Sequence, residues 1–315
     1  MDAGDTVLTA LGRASAGPSG LLPDSPARFP DGGQYRVEIP SVEGPEALRT
    51  VLAEGAVRDV PVHRVSQGSG ITLLTDGEIQ EMVGLGREHG TEVCLFTGPR
   101  AGWDVGVQAT TSSGRVVAGS LRGGRQLRHA VDDVTHACAL GVRSVLVADL
   151  GHLAVLAALR RAGDLPPDLV LKVSISLPVA NPATARVLED LGADTLNLPV
   201  DLDVADIAEI RAATVLPLDV YIEGADDFGG PVRYHDLPEI VRVGSPVHVK
   251  FTVRNAPNTY PAGGHLASVV TALAAERVRR AAIGLALLRR RLPGAAASPW
   301  SRAEEAQRHQ DETTG

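Results

Sequence analysis

The stretch "VHVKFTVRNAPNTYPAGGHL" (residues 247–266) decides how this chain folds. Val247, Val249, Phe251 and Val253 alternate with His248, Lys250, Thr252 and Arg254. Successive side chains of a strand point to opposite faces of its sheet. One face of this strand is apolar enough to pack helices, yet the other carries two full cations. Buried charge must be paired or reach water. A strand buried on both sides with such a face fits the wall of a closed barrel, whose interior holds the polar groups.

The rest of the chain repeats the unit. Strand-like runs occur at 35–39, 60–65, 92–97, 144–149, 169–175, 194–198, 216–222 and 247–253, and helical patterns follow them. Thr75 and Glu78 make a capping box. Leu127, Val131, Val134 and Cys138 recur at helical spacing before Gly141. Asn181-Pro182 opens and Gly192 closes another helix. Asp203 caps a third. Eightfold strand–helix alternation predicts a (β/α)8 TIM-type barrel. An open doubly wound sheet competes, but no dinucleotide fingerprint follows the first strand; "QGSG" (67–70) lacks the third glycine. The reading divides the chain into an N-terminal arm (1–33), a barrel domain (34–292) and a disordered tail (293–315). A long insertion after the third strand (99–124) holds two alternating runs around Ser113-Gly114, expected as a β-hairpin that serves as lid or oligomer contact.

Composition narrows the function. The 315 residues are 44% hydrophobic and 3% aromatic, so a core of Val, Leu, Ile and Ala is expected. Thirty basic residues stand against 38 acidic ones, for a net charge of −8. That balance argues against a nucleic-acid groove, which depends on a basic excess. A small anionic substrate remains compatible, because local and net charge can oppose each other. Two cysteines, Cys94 and Cys138, make neither a disulfide framework nor a four-thiolate site. No cofactor and no metal are expected. Glu223, Asp226 and Asp227 could hold a divalent ion, but acidic loops are usually solvated. The apolar pattern at 266–288 is interrupted by Glu276, Arg277, Arg279 and Arg280, so no membrane partner is expected and a cytoplasmic protein is the simplest reading.

Inward-facing polar residues are the candidate site. Lys172, Ser174 and Ser176 share one face, as do Asp219, Tyr221 and Glu223, and Arg36 and Glu38. Lys172 or Lys250 is the candidate acid–base or Schiff-base lysine, with Glu223 or Glu38 as its proton partner. Arg254, at the mouth end, is the candidate anion clamp. Asn197 ends a strand at the mouth. Asn255 follows the clamp, and the amides of Gly263 and Gly264 could complete an anion site. Arg100 and Trp103 open the insertion and could cover a substrate. His63 and Arg64 are neighbours of which one points inward. Asp149 is a ligand or a helix cap.

The run "LEDLGADTLNLPVDLDVADIAEIRAATVLPLDVYIEGA" (188–225) resembles the U32 peptidase-like family, and "HVKFTVRNAPNTYPAGGHL" (248–266) is similar to a block in proteins of that label. The resemblance covers roughly 140–266 and carries over Gly192, Ala193, Asn197, Glu223, Gly224 and Ala225. It implies a barrel. Family members that hold an iron–sulfur cluster use four cysteines and hydroxylate RNA or quinone precursors; here no cysteine follows Cys138, so that chemistry does not carry over. Three functions are consistent with these residues. The first is lyase- or aldolase-like chemistry on a small carboxylate-bearing metabolite. The second is U32-like hydrolysis of peptides. The third is a non-catalytic barrel subunit that binds a partner, with its inner charges a structural network. A homo-oligomer fits any of the three.

Overall fold

The computed structural model describes residues 22–100, 106–112, 114 and 117–299. Its eight strands are β1 (Tyr35–Pro40), β2 (Arg64–Gln67), β3 (Glu92–Phe96), β4 (Ser144–Val147), β5 (Val170–Val173), β6 (Thr195–Asn197), β7 (Leu218–Glu223) and β8 (Val247–Phe251). All pair in parallel and in sequence order, and β8 closes onto β1. The α-helices are α1 (Pro45–Arg58), α2 (Asp76–Glu88), α3 (Gly123–Ala139), α4 (Leu150–Ala162), α5 (Pro182–Leu191), α6 (Val204–Ala213), α7 (Leu237–Gly244) and α8 (Ala267–Arg291). The chain is a (β/α)8 barrel. Among the described residues no helix is long and apolar enough to cross a membrane.

Local signals explain the punctuation. Thr75 and Glu78 form the reciprocal capping box of α2, and Asn181 accepts from the Thr184 amide at the start of α5. Gly192 ends α5 in the left-handed conformation (φ 102°). β2 starts later than the run 60–65 suggested. Pro61 has no N–H to give a ladder, and regular pairing begins only at Arg64. Within the insertion, Val107–Thr110 form a 3-10 turn where a strand of a hairpin was expected. Ser113, Arg115 and Val116, the rest of that hairpin reading, lie outside the described residues, as does Trp103.

The main core lies between the sheet and the helices. Val37, Ile39, Leu171, Val173, Val220, Ile222, Val249 and Phe251 are buried there. A smaller apolar cluster, Cys94, Phe96, Leu146 and Ala148, sits apart from it on β3 and β4 and their ends. The N-terminal end of the barrel is closed by the segment before β1. Ser25 is bonded to the Ser245 carbonyl, and the Phe29 ring meets His248 edge-on at 5.1 Å, with the Arg36 guanidinium 4.2 Å above it. Ala296 and Ser298 pair with the backbone of Gln34 and Tyr35 on the same side. Access to the interior is therefore from the C-terminal ends of the strands.

One close approach fixes the last helix. A β-carbon on Gly284 of α8 would stand 2.5 Å from the Phe251 ring. Gly284→Ala should lower stability by about 1–3 kcal/mol, the usual cost of overpacking, and a shift in urea midpoint checks it.

Candidate active site in the barrel

The inward faces of six strands carry a charge network around Glu38. Lys172 is ion-paired to Glu38 and lies 3.2 Å from Asp219. Lys250 Nζ stands 3.3 Å from the other Glu38 oxygen, which also accepts from Ser66. Arg64 reaches Glu38 at 3.4 Å, Asp219 at 3.1 Å and Glu92 at 2.9 Å. Three cations thus face three carboxylates; five of the six side chains are almost entirely buried, and Glu92 is 13% exposed.

The titration directions agree. Burial alone would raise Glu38, but Lys172 and Lys250 hold its carboxyl well below the usual range. Asp219 is likewise held well below by Lys172 and Arg64 against its burial. His248, with Nδ1 2.9 Å from Asp219, is pushed down to about 4 by burial and by Arg64, so it is neutral. The interior is neutral as a whole.

The strand alternation is broken at one point. β7 pairs regularly with β8 up to Tyr221↔Lys250, and then Glu223, not Ile222, is matched with Phe251. This bulge turns Glu223 away from the interior. Its carboxylate accepts from Tyr234 at 2.5 Å and from the Arg254 amide at 2.9 Å, and lies 3.5 Å from Arg280 on α8. Glu223 is therefore not the partner of Lys250; Glu38 is.

The network opens upward into a cavity of about 120 Å³ at the C-terminal mouth, room for a small metabolite. Lys250, Tyr221, Asn197, Ser174, Phe96 and Arg100 are among its lining. Lys250 is 1% exposed and lies 4.3 Å from the centre of the Tyr221 ring. Burial, with Glu38 next, pushes the Tyr221 phenol up, so it is a hydrogen-bond donor at neutral pH. Asn197 Oδ1 is buried without a partner. Arg100 lies 3.7 Å over the Phe96 ring and donates to the Gly68 carbonyl at 2.5 Å; burial lowers it to about 10. Lys172 lies below, in the network rather than in the lining.

Four other expected site residues fall elsewhere. Arg254 and Asn255 are exposed and engaged with Asp226, by the Arg254 Nε at 3.6 Å and the Asn255 amide at 2.5 Å. The alternation that put Arg254 inward ends with β8 at Phe251, where the chain turns out. Gly263 and Gly264 line a separate groove shared with Glu43, Glu46 and Glu78 and with no basic side chain, a poor place for an anion. Of the undecided residues, Arg64 points inward. His63 points outward, accepting from the Val37 amide at Nδ1. Asp149 is the cap of α4. Among the described residues no group of three His, Cys, Asp or Glu side chains is placed to hold a metal. Cys94 and Cys138 are free, buried thiols, pushed by burial up to about 12 and about 11.

Of thirty basic residues only two are lysines, Lys172 and Lys250, and both point into the barrel. Elsewhere the chain uses arginine, whose charge is permanent.

Comparison with known proteins bears on the family. The profile of peptidase family U32 matches residues 112–227, about a third of the chain. Over that segment the chain is U32-like; residues 228–266 lie outside the match. A U32 peptidase structure is 21% identical, covering 62% of this chain and 72% of that one, with a TM-score of 0.41. A thiamine phosphate pyrophosphorylase from Pyrococcus furiosus is 15% identical (78% and 98% covered, TM-score 0.42). A 3-hexulose-6-phosphate synthase is 16% identical (78% and 99% covered, TM-score 0.41). No curated protein matches the sequence.

Two outcomes follow from the network. Lys172→Met removes the cation shared by Glu38 and Asp219, leaving Asp219 with Arg64 as its remaining cation, and should cost about 3–5 kcal/mol, the usual loss on breaking a buried pair. Lys250→Met should cost only about 1–2 kcal/mol, because Glu38 keeps Lys172 and Arg64. Denaturant titration of both variants checks the ranking.

Acid should act in two stages. Burial holds His63, His152 and His248 near 4 against an ordinary 6.5, so below pH 6.5 the unfolded chain binds protons that the fold refuses. Their contribution is complete above about pH 6.5 and is lost as pH falls toward 4. Glu38 and Asp219, depressed in the fold, add stability above the ordinary carboxylate range that is lost below it. Urea midpoints measured against pH should fall below about 6.5 and more steeply below about 4.5.

Proposed function

We propose that this barrel is an enzyme acting on a small carbonyl- and carboxylate-bearing metabolite, with lyase- or aldolase-like chemistry at Lys250. The observation that carries this reading is the placement of the chain's two lysines. One, Lys250, lines the cavity, and the other, Lys172, is tied to the same carboxylate. Arginine would keep the charge balance equally well, but it cannot become the reacting amine.

The chemistry is compatible with the surrounding charges. The Lys250 ammonium and a ketone or aldehyde condense to an iminium and one water. The Nζ–C bond forms, the carbonyl oxygen leaves with two protons, and one positive charge remains. Glu38 therefore keeps its partner before and after the step. Tyr221 supplies a neutral donor to the substrate oxygen, and Asn197 offers a second polar contact. Arg100, over the Phe96 ring and in the lining of the same cavity, would meet the substrate's carboxylate.

Hydrolysis, suggested by the family whose profile matches 112–227, has less support from the side chains. No histidine or cysteine is among the described residues that line the cavity. A purely structural network has the charge balance in its favour, but it gives no reason for lysine at the cavity floor.

Trapping decides. Incubation with pyruvate and other short 2-oxo acids, then borohydride, should add the acid's reduced mass to the peptide holding Lys250, with no addition to Lys250→Met. Arg100→Ala should reduce labelling at low acid concentration by roughly tenfold, the worth of one charge-assisted hydrogen bond. Folded wild-type protein that stays unlabelled at Lys250 with every acid sinks the imine reading.

A further inference from the structure

Arg277 is a buried cation that lacks what the other inner cations have. It projects from α8 and is 5% exposed. Its Nη1 donates to the Ser41 carbonyl at 2.9 Å, and its Nε has no hydrogen-bond partner. Arg64, Lys172 and Lys250 each touch a carboxylate, whereas none among the described residues is ion-paired to Arg277. Glu43, whose charge reaches it, gives its oxygens to the amides of Gly68 at 2.7 Å and Ser69 at 2.9 Å. A buried guanidinium whose Nε is left unpartnered is costly, and an anion in the cavity beside it would satisfy it.

Space for it is present. Arg277 lines a cavity of about 70 Å³ together with Ser41, Thr252, Thr259, Tyr260 and Asp227. Ser41, Thr252, Tyr260 and Asp227 also line the Lys250 cavity, so the two are neighbouring lobes of one mouth. Tyr260 stands at their boundary. Its hydroxyl is hydrogen-bonded to Ser41, and its ring lies so close to Gly68 that a β-carbon there would collide with it.

We propose that Arg277 is the anion-binding residue of a second lobe of the mouth, which takes a carboxylate group of a small molecule. The fork of its guanidinium matches a carboxylate. The small volume, and the Asp226 and Asp227 carboxylates in the same lining, disfavour a phosphate dianion. The inference deepens the function proposed above by giving the substrate a second carboxylate, besides the one that faces Arg100, and rests on that reading only in assigning the bound carboxylate to the substrate.

The test uses acetate as probe on the full chain, with thermal melts read against chloride at equal ionic strength. Wild-type protein should show a saturable rise in melting temperature with acetate and a weaker one with phosphate. Arg277→Met should need at least tenfold more acetate for the same rise. Lys250→Met should respond within twofold of wild type. Should Arg277→Met fail to fold, Arg277→Lys keeps the charge without the fork, and a tenfold loss is again expected. No saturable rise in wild type, an unchanged response in the Arg277 variant, a response lost in Lys250→Met, or phosphate acting as strongly as acetate would overturn the proposal. The two readings fail separately: acetate binding with no borohydride label at Lys250 removes only the imine chemistry, and labelling without an acetate response removes only the Arg277 lobe.

Discussion

Everything inside this barrel depends on the charge of one carboxylate. Glu38 sits on β1, beside both β2 and β8, and across the interior from β5. Arg64, Lys250 and Lys172 come from those three strands and converge on it. A lone carboxylate there would be prohibitively costly, and so would any of the three cations. Asp219 and Glu92 complete the balance, and His248 joins as a neutral group. The arrangement ties strands that are distant in sequence through one ion cluster. Apolar side chains of similar volume would often serve stability as well, so the cluster is weak evidence for stability by itself.

The fold was legible in the sequence because parallel barrel strands are buried on both sides. Each run had to be apolar toward the helices, and its polar residues had to be inward, as Lys172, Asp219 and Lys250 are. What sequence alternation could not show was where it stops. The bulge at Ile222 turns Glu223 toward Tyr234 and Arg280, and nothing in "DVYIEGA" announces the extra residue. Arg254 looked inward for the same reason, because the alternating pattern runs on past Phe251 while the strand does not. Arg277 was hidden differently. On a helix, an arginine among Glu276, Arg279 and Arg280 reads as surface, and only the packing of α8 against the mouth buries it.

The two ends of the barrel are built for opposite purposes. At the N-terminal end Phe29 covers His248, and Arg36 is held by Asp31 and Ser298. Water is thereby kept from the lower carboxylates, which strengthens every ion pair above them, because a charge interacts more strongly where the surroundings cannot screen it. At the C-terminal end the same strands finish in Ser66, Ser174, Asn197 and Thr252, neutral groups that can exchange hydrogen bonds with a ligand. The gradient runs from sealed charge to open polarity along about one strand length, and Lys250 stands where the two meet.

The interior is also divided around its circumference. β3 and β4 contribute Cys94, Phe96, Leu146 and Ala148, an apolar wall, and the facing strands contribute the lysines, Glu38, Tyr221 and Asn197. A ligand in the mouth therefore meets carbon on one side and hydrogen-bonding groups on the other. Arg100 lies over Phe96 at the rim of the apolar wall, and Arg277 and Tyr260 line the neighbouring lobe. A molecule with a reactive carbonyl above Lys250 would find a guanidinium in either direction. With a guanidinium on both sides, the apolar wall of Phe96 and Leu146 would decide which way such a molecule lies.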